Sequence, residues 1–226
     1  MPLLRKTKRH IPLFKALIVL IGAFLFCQTL TAQNKQKPVK KITILNANKA
    51  AFREEIAKDA QQLIGDVRLE HDGTLMNCDS AIIFQNTDVL KAYGHIIINE
   101  GDSMFLYGET LVYHANSKEG TVTTNVVLTD PEMTLTTQTI LYNGFASKVF
   151  YPNHGKIVSK TESNTLWSKK GTYFSELKTF HFKDSVVLKN AEYTIETDTM
   201  HYHTETEIAY LFGPTYFYSD SSQLYS

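Results

Sequence analysis

The sequence predicts an all-β fold in which repeated antiparallel strands wrap a shared interior between two sheets, and three observations predict it. The first is a repeat. Counting back ten residues from Phe84, Tyr113, Tyr142, Tyr173 and Tyr202 gives LMNCDSAIIF, MFLYGETLVY, MTLTTQTILY, NTLWSKKGTY and YTIETDTMHY, with closing aromatics 29, 29, 31 and 29 residues apart. So steady a period marks one supersecondary unit used repeatedly. The second is alternation: the pairs Val67/Leu69, Ile96/Ile98, Val126/Leu128, Ile157/Ser159 and Val186/Leu188 recur 16 or 17 residues before each aromatic, and only Ser159 is polar. Period-2 alternation in runs rich in Val, Ile, Thr and Tyr argues strands with one buried face.

The third observation is a change of parity inside each ten-residue block. Its third position is Asn77, Leu106, Leu135, Leu166 or Ile195, and its eighth is Ile82, Leu111, Ile140, Gly171 or Met200. In a straight strand these would face opposite sides. If both face inward, the strand must bulge or turn a corner at the polar middle positions (Asp79/Ser80, Gly108/Glu109, Thr137/Gln138, Ser168/Lys169, Thr197/Asp198), passing from one sheet to the facing one.

The elements follow in order. Residues 1–32 carry Arg5, Lys6, Lys8, Arg9 and Lys15, no acid, and the 11-residue apolar run Ala16 to Phe26. That run falls short of the roughly 20 residues of a spanning helix and reads as a secretory signal peptide cut after Ala32. Phe26 before Cys27 is bulky where a lipoprotein signal takes a small residue. Residues 33–41 read as a flexible lead-in, and 42–226 as the β domain. Thr43 to Phe52 fits an opening partial rung, with Leu45 at the third position and Phe52 at the tenth. Between Arg53 and Ile64, helical spacing through Ile56, Ala60 and Leu63/Ile64 competes, with Gly65 as its stop. Turns are expected at His71-Asp72-Gly73, Glu100-Gly101-Asp102, Asp130-Pro131, Asn143-Gly144, Pro152 to Gly155 and Gly213-Pro214. The final SSQLYS reads as half of a sixth rung with Leu224 at the third position: a truncated repeat, or an edge that pairs with another molecule.

Composition excludes several functions. Without the leader, 18 basic residues face 23 acidic ones, a net charge near −5; nucleic-acid binding relies on a basic surface. Cys78 is then the sole cysteine, so no intramolecular disulfide forms and the core must come from packing. There is no glycine-framed serine, no phosphate-cradling glycine loop and no paired acid/base arrangement. His201 and His203 alternate on one strand face, with His181 or His114 as distant candidates for a third metal ligand, but the spacing is that of ordinary solvent-facing residues. No cofactor or metal is expected. A repeating apolar lining has two uses: a trough that keeps acyl chains from water, or a closed core packed on itself.

Leu63 to Phe84 (LIGDVRLEHDGTLMNCDSAIIF), Ala92 to Tyr113 (AYGHIIINEGDSMFLYGETLVY) and MTLTTQTILY together resemble the OstA-like family, to which the lipopolysaccharide transport proteins of the LptA type and the N-terminal domain of LptD belong. Its pattern is G-x-V-x-L, a turn, a strand closing on an aromatic, then a strand to the next Gly. Gly65, Gly94, Gly155 and Gly213 fit that slot; Asn125 and Ser185 depart from it. The resemblance implies a periplasmic, non-enzymatic β-jellyroll, open at its strand edges, that shields the lipid A acyl chains of lipopolysaccharide. It implies partners of the same kind joined edge to edge, and an outer-membrane translocon. The lining it implies is Val67, Leu69, Ile96, Ile98, Leu106, Leu111, Val126, Leu128, Leu135, Ile140, Ile157, Leu166, Val186, Leu188, Ile195 and Met200, interrupted at Asn77 and Gly171. The rival is a structural or adhesive β-repeat rod with a closed core and no lipid cargo.

Overall fold

The computed structural model describes residues 41–100, 104–219 and 222–225. The expected leader and nearly all of the expected lead-in lie outside them. The described chain forms one 16-stranded antiparallel sheet. Two short opening strands, β1 (Thr43–Asn46) and β2 (Lys49–Phe52), pair with the two halves of the long β3 (Ala60–His71). Then come β4 (Thr74–Phe84), β5 (Val89–Glu100), β6 (Met104–His114), β7 (Glu119–Thr129) and β8 (Met133–Asn143), each hydrogen-bonded to the next.

The fourth rung is split into β9 (Lys148–Tyr151), β10 (Gly155–Ser159), β11 (Thr165–Ser168) and β12 (Lys170–Phe174). The chain returns to long strands in β13 (Thr179–Lys189), β14 (Tyr193–His203) and β15 (Ile208–Ser219), ending in β16 (Ser222–Tyr225).

Each long strand changes direction at a bulge. Ile64 pairs with Ser80 and Val67 with Cys78, so three steps on β3 oppose two on β4. The same offset recurs at Tyr93/Ile96 of β5, Thr123/Val126 of β7 and Lys183/Val186 of β13. The inserted residues lie in the left-handed region: Gly65 and Asp66 (φ 77° and 43°), Gly94 and His95 (74° and 44°), Thr124 and Asn125 (70° and 53°), Asp184 and Ser185 (65° and 56°). The corner thus sits where the alternating polar residues placed it on β4, β6, β8 and β14. The unusual backbone, however, belongs to the strands between them. The glycine slot falls on Thr124 and Asp184, one residue before Asn125 and Ser185.

With the corner in place, cross-strand registers carry apolar residues in continuous rows. One runs Ile44, Leu69, Met76, Ile98, Leu106, Leu128, Leu135, Ile157, Leu166, Leu188, Ile195, Phe217, Leu224, each paired with the next. On the other side of the corner a second runs Ala50, Leu63, Ala81, Ala92, Leu111, Val122, Ile140, and from β12 of the fourth rung onward Gly171, Phe182, Met200, Leu211. Leu63, Leu69, Val67, Ile96 and Val186 are at most 1% exposed.

These rows correct four sequence expectations. The first block is shifted by one, so Met76 and not Asn77 stands in the row; Asn77 is exposed and does not interrupt the interior. Ile44, not Leu45, joins the row in the opening rung. In the fourth rung the pair is Gly155/Ile157 and not Ile157/Ser159, because the two extra residues of that repeat lie after Ile157, in the turn 160–164 between β10 and β11, which has five residues where the turn between β7 and β8 has three. No helix forms between Arg53 and Ile64: two turns lead directly into β3, with Ile56 and Ala57 amides donating to the Arg53 carbonyl. The β propensity of Leu63-Ile64 and the ladder to Ala81 and Ser80 outweigh the helical spacing.

A Cβ built on Gly94 meets Asp79 Oδ2 at 2.3 Å at φ +74°, whereas one on Gly73 at φ +88° meets nothing within 4 Å. Gly94→Ala should therefore cost about 2 kcal/mol or more and Gly73→Ala about 1 kcal/mol, measured by urea unfolding. Equal losses would mean that the corner is not tightly formed.

Candidate functional site

The site is the interior between the two rows. Of the sixteen residues expected to line it, fifteen belong to one contiguous hydrophobic cluster. Ile195 is half-buried and lies in the first row between Leu188 and Phe217. The corner positions Val67, Ile96, Val126 and Val186 form its floor, each at most 1% exposed. Most of the interior is packed to closure, as in an ordinary core.

Between the second and third rungs it opens into a cavity of about 220 Å³, lined by Met76, Ile98, Leu106 and Leu128 on one wall and by Leu111, Val122, Ile140 and Val149 on the other. An apolar cavity of about 150 Å³ suffices to hold a benzene-sized ligand. Tyr113 and Tyr142 of the aromatic column stand on the upper wall, and Gly120 between them leaves space where a side chain would project.

Two of the contacts that draw the mouth together join residues at the ends of separate strands and their turns. His71 Nδ1 lies 2.8 Å from the Tyr113 hydroxyl, with the two rings edge to face at 5.5 Å. The Lys118 ammonium forms an ion pair with the Asp72 carboxylate. His71 is buried, whereas the ion pair is about one-third exposed on each side. Such a pair contributes about 0–1 kcal/mol and the hydrogen bond about 1 kcal/mol. Each methylene taken from water contributes about 0.8 kcal/mol, so burying about three offsets the loss of these two contacts.

Tyr151 was outside every sequence-derived list. Its ring fills the fourth rung: Cβ atoms built on Gly155 and Gly171 would stand 2.5 Å and 2.3 Å from it. Its hydroxyl donates to Ser168 Oγ at 2.6 Å, and that serine donates to the Lys170 carbonyl at 2.9 Å. Gly171 therefore does not break the lining; it makes room for a ring. Two inward positions without side chains were the signal.

Three remaining candidates have plain structural settings. Cys78 is buried, and desolvation pushes its thiol up to about 11, which suits packing and not nucleophilic chemistry. His201 stacks on His181, ring centroids 3.8 Å apart and planes within 11°; burial and the neighbouring His201 lower the His181 pKa. Among the described residues no group of three or more His, Cys, Asp or Glu could hold a metal ion.

These features define a class: a repeat-built β-jellyroll whose folded sheet encloses an apolar interior. The OstA-like protein family matches residues 39–198, and the chain belongs to that family. The chain is also similar to the crystal structure of LptH, the LptA-homologous periplasmic component of the conserved lipopolysaccharide transport device from Pseudomonas aeruginosa. The identity is 10% and the TM-score 0.22, over 77% of this chain and 83% of that one. The assignment rests on the family match. No curated protein matches the chain.

Burial pushes Tyr113 and Tyr151 up to about 12 from the ordinary 10.0. Their folded-state values are raised, so their contribution to stability is complete below about 10 and is lost as pH rises from about 10 toward about 12. Chemical denaturation across that range should show stability falling. Tyr151→Phe should lose about 1 kcal/mol at neutral pH yet fall less steeply above pH 10; an unchanged alkaline slope would contradict the buried placement of Tyr151.

Proposed function

We propose that this protein binds lipopolysaccharide and shields the acyl chains of its lipid A between the two apolar rows, as a component of a transport bridge between inner and outer membranes. The cavity beneath the His71–Tyr113 and Asp72–Lys118 contacts is the observation that carries this reading. It is apolar and already large enough for part of a chain, and a few buried methylenes would offset the loss of the two contacts named above it. Membership of the OstA-like family supports the same cargo.

An acyl chain entering there would lie along Leu106, Leu128 and Ile140, with Lys118 at the mouth placed to meet a lipid phosphate. The leader read in residues 1–32 would deliver the protein to the periplasm, and association with the outer membrane would follow from a translocon partner.

Edge-to-edge assembly with related jellyrolls is supported by the ends of the sheet. β1 and β2 are exposed along their whole length, β16 likewise, and Tyr210, Leu211 and Phe212 of β15 face solvent. An unpaired apolar edge is a template for strand addition. The close packing elsewhere in the interior favours the rival, a rod with a closed core.

A photo-crosslinking residue at Leu106 separates the two readings. Mixed with lipopolysaccharide, it should label the lipid several-fold above the same residue at Lys183, which is exposed on the outer face of β13. Equal labelling at both positions would favour the closed rod.

A further inference from the structure

Along the interior, free volume and aromatic bulk are unevenly placed. Before the fourth rung the second row holds Ala81 and Ala92, and the column above it holds Gly120; the cavity lies among these strands and its lining stops at Val149 of β9. Immediately beyond, Val149 pairs with Tyr173 and Tyr173 with Phe180. The Tyr173 and Phe180 rings stack with centroids 4.4 Å apart, and Phe180 stacks on Phe182 at 5.4 Å with planes within 9°. Phe182 is 3% exposed. Nearer the corner, Tyr151 takes up the space left by Gly155 and Gly171 and is fixed through Ser168.

We propose that Tyr173, Phe180 and Phe182, backed by Tyr151, form an aromatic partition that closes the cavity on its C-terminal side and sets how long a chain the interior accepts. This rests on the acyl-binding reading above. A chain entering at the mouth runs between the rows until it meets the Tyr173–Phe180 stack. Stacked rings restrain one another's rotation, and Tyr151 is anchored by its hydroxyl, so further advance requires the rings to move together. Methylenes beyond the partition stay in water and add nothing to affinity. Passage along the full fold is then a gated step at the fourth rung.

The test is a chain-length series. Straight-chain fatty acids of increasing length compete with a fluorescent naphthylamine probe for the purified protein, for Phe180→Ala and for the milder Phe180→Leu, which keeps the interior filled if the alanine variant is poorly folded. For the unaltered protein, affinity should rise about fourfold per methylene and then level off at one chain length. The break should move to longer chains in Phe180→Ala, and by less in Phe180→Leu. A break unmoved in both variants, or a steady rise with no break in the unaltered protein, overturns the partition while leaving acyl binding in place. No competition by any fatty acid in any of the proteins overturns both readings.

Discussion

Four strands, β3, β5, β7 and β13, each depend on one extra residue. A 12-residue strand that ran straight would put half of its apolar side chains on the wrong face of the sheet. The inserted left-handed pair on β3, β5, β7 and β13 removes that conflict: the ladder slips by one, the strand turns, and both halves present their apolar set to the same space. Gly65 and Gly94 adopt this backbone without a Cβ penalty. Asp66, His95, Thr124, Asn125, Asp184 and Ser185 do so at some cost in strain, and the residues flanking the corner compensate. His95 Nδ1 lies 2.7 Å from Asp79 Oδ2, and Lys170 reaches Asp184 at 2.9 Å, contacts that are exposed and individually weak. The larger compensation is the burial of Val67, Ile96, Val126 and Val186 directly beside the bulges.

Because the device repeats, the packing is quasi-one-dimensional. Each rung touches its neighbours, and the inward rows extend as far as the strands do. The same logic exposes apolar residues at the ends of the described sheet: among the described residues Ile44 and Leu224 pair in the row on one side, and both are exposed. A core built by stacking is therefore also a surface suited to further stacking. Its interior can be varied locally without disturbing the frame, so the second and third rungs leave a cavity while the fourth and fifth are filled with rings.

The fold class, the repeat, the corner and the identity of the inward residues were legible in the sequence because the period of 29 residues and the alternation survive individual substitutions. What was obscured has local causes. Asn77 looked like a gap because the first block's closing aromatic, Phe84, lies one residue past the interior column, which Ile83 occupies. Ser159 looked polar and inward because the two-residue excess of the fourth repeat was assigned to the wrong side of Ile157. The left-handed pairs at Thr124 and Asp184 were hidden because neither is glycine. Tyr151 was missed because its importance lies in contacts with residues that have no side chains, and periodicity records only side chains that are present. The closure of the mouth is likewise a property of residues distant in sequence meeting in space.

The central claim is that the two inward rows enclose a space whose lips part to admit an apolar chain. The most direct measurement is the distance between spin labels at Leu75 and Asn116, exposed positions beside the two sides of the mouth, in a Cys78→Ala background, with and without lipopolysaccharide. The account predicts one short, narrow distance distribution for the free protein and a shift to longer distance when the lipid is added. A distribution that does not change at saturating lipid would contradict it.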